Sequence, residues 1–327
     1  MSVIVTGATG FLGNNLVRGL IAKGINPTCL KRPGELHHSL STLPVTWDEV
    51  ALGNPEGLRE LIASADTIFH CAAKTGTARY LSASFYQSNV ELTRALLEAS
   101  ISSSVRFVHC SSVATCAVSD GGQDVCETSP WNLDKFGMDD PYTLTKKTAE
   151  NLVLEYTKSG VDAVVVNPSF MFGPNDIKLG SCRLIRDVLT NKLPGYPPGA
   201  NNFVDVRNVV NGLQLAATKG RRGERYILGG ENLGYRELFA IITRVGGVKP
   251  INQPLSGWLS KIVAGMGDLK ERLTGRESLF NSTGMAWSAA NCRFSSEKAQ
   301  RELGYSATSL EQAIQDTCVW FRQNGYL

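Results

Sequence analysis

Apolar positions in the first half of the chain switch repeatedly between short continuous runs and helical spacing. Ser2–Thr6 is a β-branched run, and Phe11–Lys23 follows it with Leu12, Leu16 and Leu20 on one helical face. Pro27–Lys31 reads as a second strand, Pro55–Ala63 as a helix and Thr67–His70 as another strand. Val90–Ser100 places Leu92, Leu96 and Leu97 on one helical face; Val105–His109 is then a strand. Leu144–Lys158 reads as a helix whose lead-in begins after Pro141, and Val161–Asn167 as a nearly continuous apolar strand. Strands that are apolar on both faces belong in a parallel sheet covered by helices on each side. Repeated βα units with right-handed crossovers make the expected class α/β, a doubly wound parallel sheet.

The regularity breaks after Pro174. Asn191–Asn202 carries Pro194, Pro197, Pro198 and two glycines, which is loop chemistry. Leu255–Leu273 is amphipathic, with Trp258, Leu259, Ile262, Val263 and Met266 spaced for one face. A core-facing helix is the first expectation there, ahead of a lid over an apolar substrate or a membrane-surface helix. The division expected is residues 1–174 for a nucleotide-binding domain and 175–327 for a smaller C-terminal lobe, parts of which return to the sheet.

Composition narrows the function classes. A chain of 327 residues with net charge +3 is large enough for a full core and lacks the basic excess of a nucleic-acid binder. The eight cysteines form no CxxC pair and do not cluster with the four histidines, so no metal site is expected. No apolar run reaches the ~18 residues of a membrane span. A turn beginning at Gly7 leaves no room for an apolar leader, so a reducing cytoplasm is the expected compartment.

The first turn carries the strongest chemical signal. Val5-Thr6-Gly7-Ala8-Thr9-Gly10-Phe11-Leu12-Gly13 follows a strand and opens a helix. Glycines at 7, 10 and 13 permit a tight turn, close approach of backbone to a pyrophosphate, and tight helix–strand packing in a Rossmann-type fold. The helix N-terminus then offers N–H groups and a positive dipole end to phosphate. The second strand ends Cys29-Leu30-Lys31-Arg32, two cations and no acid, which favours NADP (NADPH) over NAD, with NAD still open.

Two further elements supply reactive groups. Tyr142 and Lys146 lie four apart on a helix, so the ammonium can stand beside the phenol and lower its pKa toward neutrality. Ser111 and Ser112 close a strand at its carboxyl end, where ligands of parallel sheets bind, and a serine there can hydrogen-bond a substrate carbonyl.

Taken together, TGATGFLG, Ser111-Ser112-Val113-Ala114 and Tyr142-xxx-Lys146 resemble the extended short-chain dehydrogenase/reductase family. The chain is similar to the branch of dihydroflavonol 4-reductase, 3β-hydroxysteroid dehydrogenase and hopanoid-associated sugar epimerase-like proteins. The resemblance extends through His70-Cys71-Ala72-Ala73, Asn89–Arg94, Asn167–Pro174, Asn202–Val209, Gly223–Gly230 and Leu303-Gly304-Tyr305. It implies Ser112, Tyr142 and Lys146 as the catalytic set, with Ser111 as the fallback serine and Asn89 supporting the network. It further implies Gly7, Thr9, Gly10, Phe11, Leu12, Gly13, Lys31, Arg32, Leu52, Ala72, Ala73, Tyr142, Lys146, Pro168, Phe170 and Met171 around the cofactor. The family's Gly-Asp-Leu is Val50-Ala51-Leu52 here, and its Val-Asp-Asp-Val is Val206-Arg207-Asn208-Val209.

The function expected is an NADP-dependent ketone or aldehyde reductase, or alcohol dehydrogenase, acting on a small molecule. A nucleotide-sugar epimerase retaining NAD is the alternative, opposed by the Lys31-Arg32 pair. A 4,6-dehydratase needs an acid after the serine, where Val113-Ala114 stand; a non-catalytic NADP sensor has no need of the Tyr/Lys pair. No nucleic-acid partner is expected, and a homodimer is left open.

Overall fold

Alternate residues of the first strand serve two different cores. Val3 and Val5 pack to one side of the sheet and Ile4 to the other. The computed structural model describes residues 1–327 except 33, 35–37, 50–53, 79–82, 121 and 275–280, and leaves out the side chains of His38 and Leu259.

The main sheet runs β3-β2-β1-β4-β5-β6-β9. Its strands are β1 (Val3–Thr6), β2 (Thr28–Lys31), β3 (Thr46–Glu49), β4 (Thr67–His70), β5 (Arg106–Cys110), β6 (Ala163–Pro168) and, after two strands of another sheet, β9 (Arg225–Leu228). Every neighbouring pair is parallel. The strand order reverses beside β1, so β1 and β4 flank the switch point where such sheets bind ligands. On one face lie α1 (Phe11–Ile21) and, from later in the chain, α7 (Val206–Lys219); α2 (Pro55–Ala63), α4 (Leu92–Ser100) and α5 (Pro141–Lys158) cover the other. The short α3 (Ala83–Tyr86) leads through a π-helical turn, Gln87–Glu91, into α4.

The second sheet and the remaining helices form the lobe. Here β7 (Phe170–Phe172), β10 (Glu231–Gly234) and β11 (Asn291–Cys292) all pair with β8 (Ala200–Asp205). Around them pack α6 (Arg183–Leu189), α8 (Tyr235–Gly246), α9 (Gly257–Thr274), α10 (Ser282–Ala289) and α12 (Leu310–Gln323), while α11 (Glu297–Leu303) returns to the main sheet beside α7 and β9. The Phe172 and Phe203 rings stack 5.6 Å apart beneath α8, making an apolar core separate from those of the main sheet. Among the described residues no helix is long and apolar enough to cross a membrane.

Several expectations need correction. The pattern named no strand between Lys31 and Pro55, yet β3 pairs with β2 there; Thr-Trp-Asp-Glu at a sheet edge is too exposed to show an apolar run. The helix expected over Val90–Ser100 is preceded by a π-helical turn through Val90. The loop expected over Asn191–Asn202 gives way to strand at Ala200. The core-facing reading of 255–273 is overturned: Trp258, Ile262 and Met266 point outward, and the buried side of α9 is Ala264, Gly267 and Glu271. The stripe is apolar, but the tight packing against α10 is made by the small residues opposite it.

Candidate active site

The glycine turn is a cradle that side chains would fill. Gly7 has φ +71°, and a Cβ there would stand 2.6 Å from the Ala72 amide nitrogen; one at Gly13 would overlap the Gly7 carbonyl oxygen. Gly10 caps α1 from an extended conformation without a side-chain hydrogen bond, so the N–H groups of the first helical turn keep their donors for a ligand. A pyrophosphate fits this arrangement in both shape and charge. Leu12 is buried and Phe11 half-buried against the cores, so these two residues offer backbone rather than side chain. Lys178, in the loop after Pro174, donates to the Thr9 hydroxyl at 3.5 Å and adds a cation that no periodic pattern announced.

A line of hydrogen bonds fixes the ends of β1 and β4. The Ala72 amide donates to Thr6 Oγ1 (3.1 Å), and Thr6 Oγ1 meets His70 Nδ1 at 2.7 Å. His70 Nε2 meets Thr93 Oγ1 at 2.8 Å, and Thr93 donates onward to the Asn89 carbonyl at 2.7 Å. Thr93's proton is thereby committed, so Nε2 is the donor and Nδ1 the acceptor of a neutral imidazole. Burial, then the Lys146 charge, pushes the His70 pKa down to about 3. His109, whose ring lies 5.3 Å from that of His70, is likewise buried and held well below its ordinary value, chiefly by desolvation. Both histidines bind protons in the unfolded chain at a pH where the folded chain does not. Stability is therefore complete above pH 6.5 and is lost as the pH falls from 6.5 toward 3. At pH 5 His70 is expected to cost about 2 kcal/mol relative to pH 7, and His109 adds a loss of the same sign. Denaturant melts should show that loss, and His109→Leu should reduce it; a flat profile in the wild type rules the assignment out.

At the end of β5 the two serines divide their work. Ser111 donates to Glu150 Oε2 at 2.6 Å, beside Thr115 Oγ1 and Asn167 Nδ2 at 2.7 Å each. Ser112 instead lies beside the Tyr142 side chain, and its Oγ accepts from the Ala114 amide at 3.1 Å. Ser112 and Tyr142 are thus brought together, while Ser111 is committed below them. The Lys146 ammonium is buried and donates to the Cys110 carbonyl at 2.6 Å. The sequence suggested a lowered phenol pKa; in the chain alone, burial pushes Tyr142 up to about 12 against the opposing influence of Ser112. Desolvation lowers Lys146 as well. Asn89 reaches the same helix: its Nδ2 donates to Thr145 Oγ1 and to the Lys74 carbonyl, each at 3.0 Å, and its Oδ1 accepts from the Lys74 amide at 2.7 Å.

The remaining expected residues fall around this centre. Ala72 and Ala73 follow β4, and Ala72 lies against Gly7. Pro168 ends β6, Phe170 and Met171 belong to β7, and the Phe170 ring packs against Phe172 and Phe203 rather than facing outward. Leu52, with Val50 and Ala51, lies outside the described residues. At the end of β2, Lys31 pairs with Glu49 of β3 at 2.8 Å, an acid the sequence reading did not place there; Arg32 is exposed beside them. Two contacts from the lobe close on the site. Trp287 Nε1 donates at 3.0 Å to Asp140, whose other carboxylate oxygen caps α5 through the Thr143 amide at 2.9 Å. Asn281 Nδ2 donates to the Thr77 carbonyl in the loop after β4. Among the described residues no group of three or more His, Cys, Asp or Glu could hold a metal ion.

Known proteins resemble the chain over most of its length. The model of the NAD dependent epimerase/dehydratase family matches residues 3–229. A 3-beta-hydroxysteroid dehydrogenase of Mycolicibacterium neoaurum is 32% identical, covering 98% of this chain and 91% of its own. A 4-hydroxy-2-methyl-3-oxo-4-farnesyl-3,4-dihydroquinoline-1-oxide ketoreductase of Stigmatella aurantiaca is 30% identical over 95% of this chain and 94% of its own. The crystal structure of gox2253 superposes with TM-score 0.84 at 33% identity, covering 100% of this chain and 99% of that one.

Proposed function

The chain belongs to the NAD dependent epimerase/dehydratase family, whose members are NAD(P)-dependent enzymes of the extended short-chain dehydrogenase/reductase type; from this premise we propose an NADP-dependent reductase of an apolar ketone, reversible as an alcohol dehydrogenase. One observation carries the reading: the Ser112 and Tyr142 side chains come together near a buried ammonium that is held at the end of β5, at the carboxyl edge of a sheet whose glycine turn leaves helix N–H groups for a ligand.

The glycine turn, with Thr9 and Lys178 at its mouth, holds the pyrophosphate, and Arg32 the 2′-phosphate. The nicotinamide, when bound, supplies or accepts the hydride. Ser112 orients the substrate oxygen by hydrogen bond. Tyr142, neutral at physiological pH because its pKa stands near 12, gives that oxygen its proton in the reductive direction. Lys146 keeps a positive charge at the end of β5 that stabilises the phenolate left behind. Asn89 holds the Lys74 backbone against α5 and so fixes the wall of the crevice. The two relatives named above are called after a steroid and a farnesylated quinoline, which is why the ketone is taken to be apolar.

NADPH oxidation measured against a panel of apolar ketones tests the reading. Turnover supports it; interconversion of a nucleotide sugar by protein carrying retained NAD, with no ketone reduced, replaces it with the epimerase alternative. Glu49 is the observation that favours that alternative, since a carboxylate at the end of β2 and β3 suits an unphosphorylated ribose. Cofactor preference separates the two sharply. Arg32, exposed just past the end of β2, is the cation proposed to meet the 2′-phosphate, and Arg32→Ala should cut the NADPH-over-NADH affinity ratio by roughly 10- to 150-fold, the worth of one charge-assisted contact. Titration of both cofactors by fluorescence reads this, and equal affinities in the wild type refute it.

A further inference from the structure

Helix α9 turns its apolar side to solvent. Trp258, Ile262, Met266, Leu269 and Leu273 are 68, 51, 67, 56 and 75% exposed. At about 100° per residue they fall within an arc of roughly 80°, a stripe some 22 Å long. Single exposed apolar residues are ordinary, whereas a contiguous row of five on one helix marks an interaction surface. The charges around the row are one-sided. Lys261 and Arg272 flank one edge and Lys270 the other, all exposed. The helix's two carboxylates turn away: Asp268 accepts from the Ser282 amide at 2.9 Å, and Glu271 is buried, accepting from Asn281 Nδ2 at 2.7 Å. The outward face therefore combines a tryptophan-led apolar stripe with three cations and no acid.

We propose that α9 is an interfacial helix that docks the protein on an anionic lipid bilayer, with the stripe at the acyl boundary and Lys261, Lys270 and Arg272 on headgroup phosphates. Long cationic side chains flanking an apolar row can lie along it and place their heads in the headgroup layer. A second copy of this chain is a poorer occupant. An isologous contact through the stripe sets the same three cations against their own images with no carboxylate to meet them. The docking surface does not depend on the reductase reading, because none of its tests involves turnover.

The test uses the full chain with vesicles of phosphatidylcholine alone and with vesicles one-third phosphatidylglycerol. Each cation near an anionic surface is worth about fivefold in partitioning, so the anionic vesicles should bind on the order of 100-fold more tightly. Tryptophan emission should shift to the blue on binding, and Trp258→Phe, which leaves the other four tryptophans in place, should remove that shift. Met266→Glu combined with Leu269→Glu, both at exposed positions, should weaken binding at least tenfold while leaving the thermal midpoint in place. Equal binding to both vesicles, or none to either, overturns the proposal. So does a dimer in sedimentation that the paired glutamates dissociate while vesicles capture nothing.

Discussion

Tyr142→Phe is expected to lower kcat by about 10²–10⁴-fold and to leave NADPH affinity nearly unchanged. The range is that of a positioned acid or base, and the substitution removes one hydroxyl from a ring that keeps its packing. The geometry leaves few other candidates for the proton. Ser111 is committed to Glu150, and Ser112 carries a hydroxyl far too weakly acidic to act without a partner. His70 and His109 are buried, and the nitrogens of His70 are already paired with Thr6 and Thr93. Lys146→Ala should behave differently. It removes the positive charge that stabilises the phenolate, and the ammonium's place beside the Cys110 carbonyl puts it where the cofactor is proposed to lie, so both kcat and cofactor affinity should fall. Single-turnover rates with a ketone the wild type reduces, together with NADPH titrations of each variant, distinguish these patterns. A Tyr142→Phe protein with near-normal kcat would mean that the acid lies elsewhere.

How much of this the sequence announced depends on how local the determinant is. The strands of the central sheet were legible because Ala163–Val166 or Ile68–Phe69 must be apolar on both faces, and the glycine turn because its steric demands fall on neighbouring residues. Strand β3 was not, since an edge strand buries too little to need a pattern. For the same reason Glu49 went unseen: it reaches Lys31 only through the register of β2 with β3, which no single segment encodes. The spacing of Tyr142 and Lys146 was visible, but the sign of the Tyr142 shift was not. Spacing reports that a cation is near, whereas the outcome turns on desolvation, which is set by everything packed around α5. Helix α9 shows the converse. Its periodicity was read correctly and its direction wrongly, because amphipathicity identifies an apolar face without saying what that face meets.

Glu150→Ala should destabilise the fold by about 3–5 kcal/mol, the cost of stripping one partner from a buried ion pair. The carboxylate is fully buried. Its Oε2 collects three donors from Ser111, Thr115 and Asn167, and its Oε1 lies 2.9 Å from Arg225 Nε. That last contact is close enough for the charges to compensate, although the N–H does not point along it. Truncation would strand the Arg225 guanidinium, itself only 16% exposed, and free three donors at once. A double-mutant cycle separates the two contributions. Arg225→Ala in the Glu150→Ala background removes the stranded charge, so the pair should cost less than the sum of its single changes by about 1–3 kcal/mol. The effect reaches the site as well. Asn167 Nδ2 bridges Glu150 to the Ser112 carbonyl at 3.1 Å, so the carboxylate holds the backbone that aims Ser112 at Tyr142. Glu150→Gln, which keeps shape but replaces one acceptor oxygen by a donor amide, should therefore reduce kcat at temperatures where the variant is still folded. Urea melts of the four proteins in the cycle give the energies, and a loss below 1 kcal/mol for Glu150→Ala would show that the network carries neither the fold nor the serine.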